Sequence, residues 1–406
     1  MNKRVIAVFT GNRAEYGLQF PILKAIDDHP NLDYQLIVSG AHLDKNFGET
    51  LDEINQDGFK VSEEVEIMMD AINLESNVQA IGSGILSIGK ALSKLKPHLM
   101  VVYADRFEGL AAVVAATQMN IPTAHIEGGD LTEGGALDDS VRHAMTKLSH
   151  LHFTTNQQAS NRVIGMGEED WRVHTVGFPA IDMISENNYA KPDEVVESLH
   201  IDLNKPIVLF TQHSVTTEFE YAAEQVLESL EAIKNLAKNG VQIIVTYPNN
   251  DAGGKIIIEK LLELDNQSLN NIQVHRSLGR YLYHGILALA RDNERKVVCV
   301  GNSSSGVKET PVFGCPTVNI GSRQLGRLRG QNVIDVEYNA RSIFDLVMKC
   351  IKDKDFRLDC QKTDNPYYLG NAGVKIAEVL ASIPINEQLL RKKMKLKGEV
   401  KDGWFR

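Results

Sequence analysis

Acids, imidazoles and guanidinium groups recur in this chain at one kind of place, just past short apolar runs. Asp105 and Arg106 follow Val101-Val102-Tyr103-Ala104, and Glu127 follows the run from Pro122 to Ile126. A carboxylate at the end of an apolar run is poorly solvated, which suits a general acid or base. Asp138 and Asp139 open a helical stretch in which Arg142 and His143 each stand four residues further on. Asp138/Arg142 and Asp139/His143 are therefore expected as same-face pairs. The same acids also suit the first turn of a helix, where negative charge is favoured.

The second half carries groups of another kind. His213 follows the run Ile207–Phe210, and Asn249 stands in Tyr247-Pro248-Asn249-Asn250-Asp251. Val300 leads into Gly301-Asn302-Ser303-Ser304-Ser305-Gly306 and then a helix expected to carry Glu309. A strand-to-helix turn of small residues leaves backbone N–H groups free for phosphate oxygens, and Ser303 and Ser304 add hydroxyls. A serine-rich helix start also serves as an ordinary cap, and His213 also fits a structural role. Arg323 and Arg327 follow a further apolar run, and guanidinium groups suit phosphate. At the start of the chain, Gly11-Asn12-Arg13-Ala14-Glu15 follows Val5–Phe9. The turn needs the glycine but neither Arg13 nor Glu15. Acids in one half and phosphate or ribose partners in the other point to an anionic, nucleotide-like ligand. No Gly-x-Gly-x-x-Gly fingerprint follows the first apolar run, and the Walker pattern is absent.

The elements that must position these groups alternate along the chain. Apolar runs at Val5–Phe9, Tyr34–Val38, His98–Tyr103, Pro122–Ile126, His150–Thr154 and Val173–Val176 read as strands. Amphipathic stretches such as Ser76–Leu95 and Phe107–Met119 lie between them. The pattern restarts after Ser185–Pro206, with strands at Ile207–Phe210, Val241–Thr246, Ile272–Val274, Val297–Val300 and Thr317–Ile320 and helices at Glu218–Lys238 and Gly253–Glu263. Such alternation predicts an α/β chain of two Rossmann-like domains facing across a cleft, with ligands beyond the strands' carboxyl ends. The expected division is a domain over 1–186 carrying the acids and a nucleotide-binding domain over 187–365. A C-terminal helix over 366–385 is expected to pack back on the first domain, followed by a basic tail over 386–406. That tail, with Arg391, Lys392, Lys393, Lys395, Lys397 and Lys401, reads as a solvated or frayed helix, or else an oligomer contact.

The bulk properties narrow the class. The chain has 406 residues, 43% hydrophobic and 24% charged, with a formal net charge of -10. That acidity argues against a nucleic-acid partner. No stretch approaches the roughly 18 apolar residues of a membrane span, and the first apolar run is too short for a signal peptide. The four cysteines lack metal spacing, so reduced thiols, no metal and a cytoplasmic location are expected.

Eight ordered motifs carry a resemblance that runs from about Arg4 to Ser382. They are GNRAEYG (11–17), DRFEGL (105–110), HIEGG (125–129), DDSVRHAMTKL (138–148), QHSVTT (212–217), PNNDAG (248–253), GNSSSGVKE (301–309) and GSRQLGR (321–327). In these the chain resembles the UDP-N-acetylglucosamine 2-epimerases, and more closely their hydrolysing branch of the sialic and legionaminic acid pathways. The resemblance implies the glycosyltransferase-B arrangement of two Rossmann domains, a UDP-sugar substrate, no cofactor and a homodimer or homotetramer. It implies that UDP is eliminated across C1–C2 to a glycal, and that water then adds to release N-acetylmannosamine. The related 2,4-diacetamido-2,4,6-trideoxy sugar is the alternative substrate, and a non-hydrolysing 2-epimerase the alternative activity. By motif, Asp105, Glu127 and Asp138 or Asp139 are the implied acid/base groups. Arg13 and His213 would face the diphosphate, Ser303 and Ser304 would hold its oxygens, Glu309 would accept from the ribose, and Arg323 would line the nucleotide side. Arg106, Asn249 and His143 are implied near the site without a defined role. Two departures stand out: Ala104 occupies a place where the family commonly has glycine, and the loop from Gly129 to Asp138, with Glu133-Gly134-Gly135 at its tip, is about two residues longer. A retaining glycosyltransferase or a silent nucleotide-sugar sensor of the same fold would share much of this pattern.

Overall fold

The computed structural model describes residues 3–43, 50–67, 74–132, 136–249 and 251–395. The loop tip at Glu133–Gly135, the side chain of Arg13 and the last residues of the tail (396–406) lie outside the described residues.

Among the described residues, thirteen strands form two sheets. The first seven are β1 (Arg4–Thr10), β2 (Leu32–Ser39), β3 (Val61–Val65), β4 (Leu99–Tyr103), β5 (Thr123–Ile126), β6 (Leu151–Thr154) and β7 (Val173–Thr175). They lie in the order β3-β2-β1-β4-β5-β6-β7, every pair parallel. The next six are β8 (Ile207–Thr211), β9 (Gln242–Thr246), β10 (Ile272–His275), β11 (Val297–Gly301), β12 (Thr317–Ile320) and β13 (Val333–Val336). Their order, β10-β9-β8-β11-β12-β13, repeats the first and is again parallel. Both orders place a topological switch beside the first strand of each sheet, where the loops diverge and leave a crevice. The α/β, two-Rossmann architecture is thus the one expected from the alternation of apolar runs and helical stretches.

Helices cover both faces of each sheet, so the inner strands are buried on both sides and read as continuous apolar runs. β4, β8, β9 and β11 are buried at every residue. Two apolar clusters flank the first sheet, one containing Ile6, Val8 and Val101 and the other Ala7, Phe9 and Met100. Two more flank the second sheet, around Val208 and Val300 on one face and Ile207 and Cys299 on the other. A small fifth cluster joins Phe178, Ile181, Val307 and Tyr367.

The helix Ala372–Ser382 packs on the first helix, Arg13–Asp28. The approach is close enough that a Cβ at Gly373 would lie 2.4 Å from the Pro21 carbonyl oxygen, so glycine is required there. The following segment is exposed along most of its length but docked at two points. A short helix, Glu387–Leu390, buries Leu389 against the first domain. Arg172, itself fully buried, donates to the carbonyls of Gln388 and Leu389 at 2.8 Å each. Lys392 Nζ meets buried Glu168 at 2.8 Å and donates to the carbonyls of Thr146 and Lys147. The reading of 386–395 as a solvated or frayed helix is therefore corrected in part: Leu389 and Lys392 dock on the first domain through partners that local sequence does not reveal, while Arg391, Lys393 and Lys395 stay exposed.

Candidate functional site

The site is built where the carboxyl ends of β4 and β5 face those of β8, β9 and β11. Two of its turns are conformationally unusual. Ala104, just after β4, has φ +50°, and Glu127, just after β5, has φ +62°. Non-glycine residues enter this left-handed region at a cost of about 1–2 kcal/mol. Ala104 therefore sits where a glycine would be relaxed, and the backbone still turns so as to present Asp105. In the other half, β11 ends at Gly301 with φ +126°, and a Cβ there would meet the Thr211 carbonyl at 1.9 Å. Only glycine fits.

On the acid side, Arg142 is the hub. It is 1% exposed and pairs with both Asp105 and Asp139. It also donates to the Asp130 carbonyl and to Thr132 Oγ1, each at 2.8 Å. Asp139 in turn accepts from the Thr132 amide at 2.9 Å. The expected Asp138/Arg142 pair does not form. Arg142 points down to Asp105 and takes Asp139, three residues before it, which leaves Asp138 among Asp105, Asp251, Arg106 and Arg323.

The two aspartates are pushed in opposite directions. Burial by itself would raise Asp105, but the Arg142 guanidinium, helped by Arg327 and Arg106, holds it below the ordinary carboxylate value. Burial followed by repulsion from Asp105 and Asp251 raises Asp138 to about 7. Pairs of acids whose surroundings separate their titrations mark acid and base roles.

Glu127 is 5% exposed; its Oε1 accepts from the Tyr103 hydroxyl at 3.1 Å and from Lys308 Nζ at 3.2 Å. Lys308 comes from the opposite half and also meets Asp130 Oδ2 at 2.5 Å. Arg327 crosses in the same direction, donating to the Leu131 carbonyl at 2.7 Å and to Thr132 Oγ1 at 3.2 Å. A third crossing joins Arg106 to Asp251 at 2.7 Å.

On the other side, His213 Nδ1 accepts from the Asn249 amide at 3.0 Å, which leaves Nε2 to carry the proton. Burial, then the nearby Arg323 charge, lowers His213 to about 3, so it is a neutral donor. Asn302 braces it, accepting from the His213 amide at 2.7 Å and donating to its carbonyl at 2.9 Å. Arg323 donates to the Asn302 carbonyl at 3.1 Å. Asn249 Nδ2 donates to Asp251 at 2.5 Å. Ser303 and Ser304 are half-buried in the turn after β11, and Ser305 donates to Ser303 Oγ at 3.1 Å. The expected single helix carrying Glu309 is instead two short helices, Ser305–Lys308 and Thr310–Phe313, with Glu309 at the break. Pro311 has no N–H to continue the helical ladder. Glu309 Oε2 pairs with His284 Nε2 at 2.8 Å.

Asp105, Asp138, Arg106, Asn249, His213 and Arg323 are thus brought together, with Glu127 one layer deeper and Ser303–Ser304 on the facing turn. Glu309 is turned to His284, and Asp139 serves Arg142. Lys308, Asp130 and Asp251 enter the site without having been singled out by sequence, although each lies in or beside a quoted motif, and Arg327, expected near phosphate, reaches across to Leu131 and Thr132. Glu15, beside the acids, accepts from the Gly11 amide at 3.1 Å; burial and then Glu108 raise it to about 8. Among the described residues no group of three or more His, Cys, Asp or Glu is arranged to hold a metal ion.

The chain is similar along most of its length to several known proteins. A UDP-N-acetylglucosamine 2-epimerase of Neisseria meningitidis is 32% identical over 362 residues, covering 88% of this chain and 90% of its own. A UDP-N,N'-diacetylbacillosamine 2-epimerase (hydrolyzing) of Legionella pneumophila is 32% identical over 389 residues, covering 96% and 98%. The Methanocaldococcus jannaschii UDP-GlcNAc 2-epimerase, solved in complex with UDP-GlcNAc and UDP, superposes with a TM-score of 0.73 at 19% identity, covering 93% and 99%, a likeness of fold. The family model for UDP-N-acetylglucosamine 2-epimerase matches residues 24–381. With two facing parallel sheets, acids at the carboxyl ends of one and a glycine-serine turn at the end of the other, the chain belongs to the UDP-N-acetylglucosamine 2-epimerase family.

Proposed function

We propose that the chain is a hydrolysing 2-epimerase that converts UDP-N-acetylglucosamine and water to UDP and N-acetylmannosamine. The observation that carries the proposal is the split between Asp105, held ionised by Arg142, and Asp138, held near neutrality, beside Glu127 and opposite the 301–305 turn. Glu127 takes the proton from C2. The electron pair forms the C1–C2 double bond, and the bond from C1 to the diphosphate oxygen breaks. Neutral His213 donates through Nε2 to the departing diphosphate, with Ser303, Ser304 and Arg323 on its oxygens. Arg13, at the start of the first helix, is assigned to the same diphosphate. Asp138 then gives its proton to C2 on the face opposite to the one that lost it. Water adds at C1 and returns a proton to Asp138, and the proton on Glu127 leaves with the products. Asp105 is the fixed anion that keeps Arg142 in place and adds to burial in keeping Asp138 protonated.

A second substrate reading, UDP-2,4-diacetamido-2,4,6-trideoxyglucose, is favoured by the Legionella relative, whose name specifies that sugar and a hydrolysing reaction. Proton NMR in deuterated water with both nucleotide sugars tests both readings. The expected result is UDP and a free mannosamine-type sugar with deuterium at C2. An intact UDP-sugar epimer without free sugar would indicate a non-hydrolysing 2-epimerase, and protium retained at C2 would rule out the elimination.

A further inference from the structure

Lys308 is the most deeply buried cation that crosses between the two halves, with 2% of its surface exposed. Its backbone belongs to the nucleotide side: the Lys308 amide donates to the Ser304 carbonyl at 2.9 Å, and the Lys308 carbonyl accepts from Asn365 Nδ2 at 2.7 Å. Its ammonium belongs to the acid side, between Glu127 Oε1 at 3.2 Å and Asp130 Oδ2 at 2.5 Å. The Phe178 and Tyr367 rings flank it at 4.8 and 5.4 Å. A strongly hydrated ammonium is costly to bury, and it stays only where several partners replace water.

We propose that Lys308 is the positioning residue for Glu127: a cation carried by the Ser303–Ser304 turn that aims the carboxylate from across the cleft. The proposal deepens the epimerase reading and rests on it, because it takes Glu127 as the C2 base and the 301–305 turn as the diphosphate seat. Glu127 holds a left-handed backbone conformation just past β5, and its carboxylate is held by partners on other elements. Two of these are now accounted for, the Tyr103 hydroxyl on its own side and the Lys308 ammonium from across the cleft. Because the Lys308 amide hangs on the Ser304 carbonyl, a shift of the turn by a bound diphosphate moves the ammonium with it. The charged and titratable groups that bear on Glu127 are Lys308, Tyr103, Asp130, Arg142 and Tyr367. Removing Lys308 therefore takes away one of two nearby cations and leaves Asp130 as an opposing anion.

The test compares Lys308→Met and Lys308→Arg with the wild-type enzyme. In K308M, kcat is expected to fall at least 100-fold while UDP affinity stays within threefold. The acidic limb of its kcat/KM profile should move to higher pH. K308R, which restores a cation, should recover at least tenfold of the lost kcat. Hydrogen exchange gives a readout that does not need turnover: UDP should protect both 301–306 and 127–132 in the wild type, but only 301–306 in K308M. The proposal is overturned by equal protection of 127–132 in both proteins, by a K308M kcat within threefold of wild type, or by K308R failing as badly as K308M with an unchanged pH limb. If K308M does not fold, K308R carries the test, with the pH limb and the exchange of 127–132 as its readouts. A wild-type chain that neither binds UDP nor turns over a UDP-sugar overturns the epimerase reading itself, an outcome distinct from failure of the variants.

Discussion

Asp138 is the residue whose surroundings do most to set its chemistry. Burial first, and then Asp105, which is 33 positions away in sequence yet near in space, together with Asp251, raise it to about 7. As the proton donor to C2 it must be neutral, so kcat/KM is expected to fall as pH rises through about 7. A positioned acid of this kind contributes roughly 100- to 10,000-fold in rate. Asp138→Asn should therefore lose at least about 100-fold in kcat and flatten the alkaline limb. If the limb survives in the variant, another group sets it. Asp105 and Glu127 were legible as candidates because each directly follows a buried strand. Which acid is ionised and which is neutral was not legible, because Arg142 chooses Asp105 and Asp139 only once the helix Ala136–Leu148 docks over β4 and β5.

At the scale of elements, the inner strands and the edge strands β7 and β10 were readable, and the edge strands β3 and β13 were not. β4, β8, β9 and β11 are apolar throughout because helices cover both faces. β3, with the sequence VSEEV, and β13, with VIDV, are edge strands, and only Val65 among their residues is fully buried. Their polar residues broke the pattern on which the strand reading relied. The C-terminal strap was misread for a related reason. Arg391, Lys393 and Lys395 are as exposed as they look, but Arg172, Glu168 and the end of the helix Ala136–Leu148 absorb the strap's carbonyls and the Lys392 ammonium. Arg172→Met would leave the buried Leu389 carbonyl and the partly buried Gln388 carbonyl without this donor. That should destabilise the protein by about 3 kcal/mol or more and release 387–395 to proteolysis. Denaturant unfolding and limited trypsin digestion check it, and an unchanged unfolding midpoint would show that the strap is only loosely held.

For the whole molecule, buried titratable groups set a pH optimum for stability. Burial is the leading cause that lowers His42, His150 and His152 to about 4 and His125 and His213 to about 3. A histidine lowered on folding contributes stability above its unfolded value of about 6.5 and loses it as pH falls toward the folded value. Glu15 and Asp138 act in the opposite sense. Raised to about 8 and about 7, they contribute fully below the unfolded carboxylate value and lose that contribution as pH rises through these values. Stability should therefore peak between about pH 6 and 7, falling on the acid side by up to about 1.4 kcal/mol per pH unit for each histidine being charged. Thermal unfolding across pH 4.5–9 measures this, and a midpoint that rises steadily to pH 9 would contradict it.

The sequence by itself determined the two repeated sheets, the strand ends at which chemistry-bearing groups gather, and the family, because these follow from local periodicity and from motifs read in order. Tertiary structure alone decided how those groups are paired. Lys308 faces Glu127 from 181 positions away, Arg106 faces Asp251 from 145 away, and Arg142 reaches Asp105 from 37 away. The protonation of a buried acid depends on the nearest opposite charge in space, and in this molecule that charge comes from another element or from the other half of the chain.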